Sequence, residues 1–271
     1  MKSVLAALLV AVMAAPAAYA KADYHGLPPA GAAAKGATLV AVCAACHGSN
    51  GISVSPAYPN LAGQQYNYIL KQLENFRSGA RKNAIMSTMA MTIPPSKDHA
   101  NLKDIAAYFS RLSPMSAHLA SPGGAAASSQ QIELGRSIYD RGVAGKGIPS
   151  CAACHGLGGE GNGPMAIPVL AGQHSAYVVT QLEQFASGAR HNSPGHVMHA
   201  IARAMNAVQE AAVAAYVRQL DPATTLGIGP KDFPAYASRL ARGGTVGRKA
   251  TGTPTSSAPA AAAAGAGAVA H

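Results

Sequence analysis

Two copies of one pentapeptide contain all four cysteines of this 271-residue chain. Both copies read CAACH, and they occupy residues 43–47 and 151–155. The pattern C-x-x-C-H is the attachment signature of c-type haem, because two thiols on one helical turn reach the two vinyl groups as thioethers and the next imidazole then lies under the iron. The sequence therefore predicts two covalently attached haem c groups, with thioethers from Cys43, Cys46, Cys151 and Cys154 and proximal iron ligands His47 and His155.

Three other uses of paired cysteines fit this sequence less well. Four-cysteine zinc sites usually separate their C-x-x-C pairs by about 15 to 20 residues, whereas these motifs start 108 residues apart and each ends in histidine. A thioredoxin-like redox pair needs a βαβ unit, and no strand-forming run surrounds either motif. Structural disulfides would not require a histidine in both copies. Haem attachment is therefore the preferred interpretation.

The segments downstream of the two motifs repeat each other without a gap. Residues 61–83 read LAGQQYNYILKQLENFRSGARKN and residues 170–192 read LAGQHSAYVVTQLEQFASGARHN, with 14 of 23 positions identical. Their offset of 109 residues nearly equals the 108 residues between the cysteine motifs. The chain is therefore interpreted as an internal duplication, in which each copy has one haem site and the same downstream helix.

The elements that position these motifs are predicted to be helices, because apolar residues recur at helical spacing and no segment alternates as a strand would. The fold class is therefore all-α. With no Trp and only 4 Phe, the cores would contain a flat porphyrin in place of aromatic side chains. The predicted helices cover residues 35–42, 66–76, 102–112, 132–139, 177–185 and 208–216.

The sixth ligand of each iron is sought among the methionines, since a thioether or an imidazole is the usual low-spin choice. Most methionines are adaptable core residues, so position relative to the repeat decides. The preferred ligands are Met86, three residues after Asn83, and Met198, six residues after Asn192. The open alternatives are Met89 or Met91 for Met86, and a bis-histidine second haem through His196 or His199. The remaining histidines are expected to face solvent: His25, His99, His118, His174, His191 and His271.

The sequence resembles the cytochrome c4 family of two-haem electron carriers over about residues 31–221. The resemblance rests on CAACHG in both copies, LAGQ followed by Tyr, QL and Phe, SGAR and Asn leading to Met, and AAYF or AAYV in the last helix. An insertion, RGVAGKGIPS, directly precedes Cys151 and has no counterpart before Cys43. This insertion also resembles the second domain of that family.

The resemblance implies a fold and a ligand set. The fold would be two tandem class I cytochrome c domains, each wrapped around a covalently attached haem. Pro59 and Pro168 match the proline of the family's PxLAG segment, and the resemblance implies that their backbone accepts a hydrogen bond from the proximal histidine. Each iron would have one His and one Met ligand, the pairs being His47 with Met86 and His155 with Met198.

Targeting and domain boundaries are predicted from composition. Residues 1–20 are typical of a secretory signal peptide, because Lys2 precedes an apolar run that ends in an A-x-A sequence. Cleavage is expected after Ala20, which implies a periplasmic protein. The mature chain is divided into a first cytochrome c domain over 21–118, a linker over 119–129, a second domain over 130–221, and a basic, then Ala/Gly/Pro-rich, disordered tail over 222–271.

The charge is modest and uneven. The formal net charge is +10, with +5 over residues 21–120 and 0 over residues 121–221. A modest charge with no nucleic-acid motif argues against a nucleic-acid partner. The basic residues Arg77, Arg81 and Lys82 near the Met loop predict docking to acidic surfaces of a redox partner, an oxidase or reductase complex.

These predictions combine into electron transfer without catalysis. A six-coordinate His/Met haem leaves no open position for a substrate, and a thioether ligand favours the ferrous state. The expected protein carries electrons between a quinol-oxidising complex or dehydrogenase and a terminal oxidase, with peripheral membrane association left open. Two alternatives remain: a fixed haem-bearing subunit of a dehydrogenase or oxidase complex, and a two-haem peroxidase with one exchangeable iron site. The matching Met after each repeat disfavours the peroxidase.

Overall fold

The computed structural model describes residue 28 and residues 31–113 and 127–221. Within these ranges the chain has no strand, and its β-structure is limited to two isolated bridges, so the all-α prediction is confirmed for the described residues. None of the helices there has the length and apolar character needed to cross a bilayer. The predicted signal peptide (1–20), the predicted tail (222–271) and most of the predicted linker (119–129) lie outside the described residues.

Each copy of the repeat forms five helices in the same order. The first copy contains α1 (Ala32–Ala37), α2 (Ala41–His47), α3 (Tyr66–Ser78), α4 (Ala84–Thr92) and α5 (Ala100–Ser110). The second copy contains α6 (Ser129–Arg141), α7 (Ala152–His155), α8 (Ser175–Ser187), α9 (Val197–Ala204) and α10 (Ala207–Gln219). Short 3-10 turns lie at Lys97–His99, Ala144–Lys146 and Pro194–His196.

The helix predicted over residues 35–42 is interrupted. α1 ends at Ala37 and α2 begins at Ala41. The side chain of Thr38 donates a hydrogen bond to the carbonyl oxygen of Lys35 at 2.8 Å, and its main-chain N–H caps the same turn. A threonine that bonds to nearby backbone competes with helix continuation, so the predicted single helix is divided in two.

The first and last helices of each copy cross at very close range. A methyl group at Gly36 would lie 2.1 Å from the carbonyl oxygen of Asp104, and one at Gly135 would lie 2.0 Å from that of Ala212. Only glycine permits this approach of α1 to α5 and of α6 to α10, although glycine costs about 1 kcal/mol in a helix interior relative to alanine. The crossings form the frame on which α3 and α8 pack.

Two apolar clusters form the core of the molecule. The first is built from α3 and α5 around Ile69, Leu70, Leu102 and Phe109. The second contains the α8 and α10 residues of the second copy and also buries Ile52 and Ala62 from the first copy. The second cluster therefore joins the two copies through apolar contacts.

A hydrogen-bonded interface with approximate twofold symmetry also joins the two copies. The Gln64 side chain exchanges two hydrogen bonds with the backbone of Val169, at 2.8 and 3.0 Å. Gln173 does the same with the backbone of Asn60, both at 3.0 Å. Gln64 and Gln173 are the same glutamine of the repeated LAGQ segment. The duplication therefore folds with its two copies face to face.

Candidate haem sites

The first CAACH motif lies on α2, which ends at His47. The helix places the two thiols and the imidazole within about one helical turn, at positions i, i+3 and i+4, as thioether attachment requires. His47 is only 5% exposed, and its Nδ1 lies 2.8 Å from the carbonyl oxygen of Pro59. Because a carbonyl can only accept, Nδ1 is the protonated nitrogen, and Nε2 keeps its lone pair for a metal ion.

The second motif has the same arrangement. Cys151 is the N-cap residue of α7, and Nδ1 of His155 donates to the carbonyl oxygen of Pro168 at 3.1 Å. Burial lowers the pKa of His47 and of His155, and it outweighs the opposite effect of the hydrogen bond to each proline. Both imidazoles are therefore held neutral, which is the form that ligates a metal.

Met86 and Met198 each border the core cluster of their own copy. Met86 packs against the same cluster as Cys43, and Met198 packs against the same cluster as Cys151. The main-chain N–H of Met86 donates to the Asn83 side chain, which caps α4. The main-chain N–H of Met198 donates to the Ser193 hydroxyl. The structure thus brings each methionine to the apolar region that its cysteine motif borders.

Helix register identifies which methionines correspond. Ala90 lies four residues after Met86, Ala202 lies four residues after Met198, and both alanines are 1% exposed. In this register Met89 corresponds to Ile201, and Met91 is 66% exposed. The register therefore supports Met86 over the two alternatives in α4.

The bis-histidine alternative for the second site involves two histidines with different surroundings. Nδ1 of His199 lies 2.7 Å from the carbonyl oxygen of Phe185, a bond that leaves its Nε2 lone pair available, as in the two proximal histidines. His196 is exposed. Met198, which lies between these two histidines in the sequence, packs against the core cluster, which favours the thioether as the ligand.

Two residues expected at the surface are buried between the two copies. Arg81, predicted to belong to a basic docking surface, is 7% exposed, and His174, predicted to face solvent, is 4% exposed. Nε2 of His174 donates to the carbonyl oxygen of Ser53 in the first copy. Both predictions are wrong because they treated each copy as an isolated domain, whereas the face that carries these residues is covered by the other copy.

Arg81 and its counterpart Arg190 form a buried cationic pair. Arg81 donates to Tyr177 at 3.1 Å and to Gln181 at 2.6 Å, and Arg190 donates to Tyr68 at 3.0 Å. Neither guanidinium has a carboxylate within salt-bridge distance among residues 31–113 and 127–221. Buried cations normally pair with anions, and haem carries two carboxylates of its own. The donor set at the interface therefore fits a haem-containing protein.

Comparisons with known proteins identify the family. A family model described as cytochrome c matches residues 33–113 and 132–221. Cytochrome c4 from Azotobacter vinelandii is 38% identical over 197 residues, which cover 70% of this chain and 90% of the relative. The structure of reduced recombinant cytochrome c4 from Pseudomonas stutzeri matches with a TM-score of 0.61 at 33% identity, over 70% of this chain and 98% of that one. The chain belongs to the cytochrome c4 family.

Another relative is named for its role as an electron acceptor and not as a cytochrome c4. The thiosulfate dehydrogenase electron acceptor of Thiomonas intermedia is 37% identical over 220 residues, which cover 80% of this chain and 90% of the relative. The chain is a two-haem c-type cytochrome that transfers electrons, with two tandem cytochrome c domains and two covalently attached haem c groups. These predictions from the sequence are confirmed.

The interdomain residues are the part of the site that the sequence did not predict. The sequence shows these residues only as identical positions of the repeated LAGQ and SGAR segments, namely Gln64 with Gln173 and Arg81 with Arg190. Polar residues that repeat at the same positions of two copies are a signal for a shared interface. That signal does not show which residues meet across it.

Proposed function

We propose that this cytochrome c4 is a periplasmic electron carrier, which takes electrons from a quinol-oxidising complex or a dehydrogenase and passes them to a terminal oxidase. The observation that carries this proposal is the pair of matching sites, each with a carbonyl-oriented histidine and a methionine on the same core cluster. Two equivalent six-coordinate sites would suit storage and transfer of one electron at each haem.

Each residue of the two sites has one role in this proposal. The thioethers come from Cys43 and Cys46 in the first domain and from Cys151 and Cys154 in the second. Bound haem iron supplies the one-electron couple. The residues that would hold the two irons are His47 and His155, through Nε2, and Met86 and Met198, through their thioether sulfurs.

The backbone and the interface complete the sites. Pro59 and Pro168 hold the proximal rings in one tautomer through their carbonyl oxygens. Arg81 and Arg190 are the residues that would bind the haem carboxylates, because they are buried cations and no carboxylate of the described residues lies within salt-bridge distance of them. Burial strengthens such charge-assisted hydrogen bonds. The interface would thereby hold both haems at the contact between the domains.

Docking and location belong to the same proposal. The signal peptide over residues 1–20, with cleavage after Ala20, would export the chain to the periplasm. Of the basic residues near the Met loop, Lys82 is exposed, whereas Arg77 donates to the carbonyl oxygens of Ala90 and Ile93. The positive charge of the first domain would steer it to acidic redox partners, with peripheral membrane association left open and no nucleic-acid partner.

An optical redox titration of the purified holoprotein tests the ligation. We expect two low-spin haems per chain, high potentials, and the weak long-wavelength ferric band that reports a sulfur-to-iron bond for both haems. A high-spin component with peroxide turnover would contradict the carrier and favour the peroxidase alternative. A low-potential haem without the band would remove Met86 or Met198 as a ligand.

The second candidate is a fixed subunit of a dehydrogenase complex. It is favoured by the relative described as a thiosulfate dehydrogenase electron acceptor. Affinity purification of the tagged chain from its native host separates the two. A carrier is expected to be recovered alone after a wash in moderate salt, and a subunit to be recovered with a larger protein in a fixed ratio. Stopped-flow reduction by that protein would then identify the donor.

A further inference from the structure

The approximate symmetry of the domain interface breaks at Lys71. The equivalent position in the second domain is Thr180, which is exposed, whereas Lys71 is 8% exposed. The two arginines, two tyrosines and two glutamines of the interface all have a counterpart, so they place equal charge on both sides. Lys71 therefore adds one cation that the second domain does not match.

Lys71 lies among cations, and none of the described side chains is an acidic partner in contact with it. The charged and titratable groups that face it are Tyr68 and Glu74 on its own helix, and Arg81 and Arg190 on the loops that follow α3 and α8. No carboxylate lies within salt-bridge distance of its ammonium group in the part of the chain that the structure describes. Burial lowers the pKa of Lys71 to about 8, so the group is still positively charged at pH 6.5.

The ammonium group points across the interface to the loop that leads to Met198. Nζ of Lys71 donates to the carbonyl oxygen of Asn192 at 2.6 Å, and the Asn192 side chain bonds to Gln72 of the first domain. The next residue, Ser193, accepts the hydrogen bond from the main-chain N–H of Met198. In the first domain, Asn83 only caps its own helix α4. The unmatched cation thus contacts the Met loop of the second haem site.

We propose that Lys71 raises the reduction potential of the haem attached at Cys151 and Cys154 more than that of the other haem. This inference rests on the proposed ligation by Met198. When a redox partner gives one electron to that haem, its iron changes from ferric to ferrous and the local positive charge falls by one. A fixed cation in a buried, low-dielectric position favours the less positive, reduced state. Lys71 would therefore contribute to a difference in potential between the two haems.

A redox titration of the holoprotein at pH 6.5, followed by proton NMR signals of each haem, tests this. For Lys71→Met, we expect the reduced-to-oxidised ratio of the second haem at its original midpoint to fall by roughly tenfold, which corresponds to about 59 mV for one electron. The first haem should shift less. The sulfur-to-iron band should remain in both haems.

Two further variants separate charge from structure. Lys71→Arg keeps the buried charge and should keep both potentials, whereas Lys97→Met removes the same charge from the exposed surface and should shift neither. Equal shifts of the two haems, a larger shift of the first haem, or loss of the band in Lys71→Met would overturn the proposal. Absence of the band at the second haem in the unaltered protein would instead contradict Met198 ligation, and with it both proposals.

Discussion

Each proximal histidine is oriented by one carbonyl oxygen, and the residue that supplies it could be named from the sequence. The CAACH motif identifies the cysteines and histidines because the chemistry requires those residue types at that spacing. The methionine was harder to identify, since Met86, Met89 and Met91 occupy the same short segment. Helix register favours Met86, because Ala90 and Ala202 are buried at matching positions.

Substitution of Met86 is expected to affect one haem only. Met86→Ala should remove the sulfur-to-iron band from half of the ferric haem and lower the potential of that half, since a thioether ligand stabilises the ferrous state. Met89→Ala is the matched control, because its counterpart in the second domain is Ile201. It should keep the band. Both variants are measured by long-wavelength absorption and redox titration. If Met89→Ala loses the band and Met86→Ala keeps it, Met89 is the ligand.

Three of the helices, α3, α5 and α8, were predictable because one face of each is apolar. The segments that form α3, α5 and α8 each have an apolar stripe. Residues of these stripes, such as Leu73, Phe109 and Leu182, are buried in the core. The α4 segment, AIMSTMAMT, is apolar on most sides, so its sequence shows no stripe from which a helix could be predicted. The close helix crossings were also missed, since a glycine in a helix indicates nothing about the partner that approaches it.

Alanine in place of Gly36 should destabilise the first domain. Glycine-to-alanine changes in helices normally stabilise by up to about 1 kcal/mol, but here the new methyl group would lie 2.1 Å from the carbonyl oxygen of Asp104. We expect a loss of about 2 to 4 kcal/mol in the free energy of unfolding. Gly145→Ala is the control, because nothing lies within 4 Å of its added carbon. Chemical unfolding of the holoprotein would measure both, and equal stabilities would contradict the close crossing.

At the scale of the whole molecule, the repeat predicts two domains but not how they meet. The interface is made of polar side chains that bond to backbone, such as Gln64 to Val169 and His174 to Ser53. Sequence periodicity finds apolar faces, so a polar face that is buried by a second copy is read as solvent-exposed. This is the physical reason that Arg81 and His174 were assigned to the surface.

Acid is expected to weaken the molecule through His174. Burial lowers the pKa of His174 in the folded protein, whereas in the unfolded chain it titrates near about 6.5. The unfolded state therefore binds more protons below that pH. The contribution of His174 to the free energy of unfolding is fully present above about pH 6.5, and it is lost as the pH falls through the pKa of His174 in the folded protein. His174→Gln, which copies Gln65 of the first repeat, should reduce the loss of unfolding free energy between pH 8 and pH 5.

The exposed His191 provides the control for this pH effect. His191→Gln should retain the pH dependence of the unaltered protein in the same urea unfolding experiment. If His174→Gln also retains it, the acid sensitivity comes from other groups, and His174 contributes no proton-linked stability to the interface.

The paired glutamines are expected to contribute equally to the stability of the whole molecule. Gln173→Leu would leave the N–H and C=O of Asn60 buried without partners, and Gln64→Leu would do the same to Val169. An unpaired buried backbone group costs about 1 to 3 kcal/mol, and each kcal/mol lowers the melting temperature by about 2 to 4 °C at this size. Calorimetry of the holoprotein should show similar losses for both variants. The exposed Gln130→Leu should melt as the unaltered protein does, and identical melting of all three variants would show that the symmetric contacts do not hold the domains together.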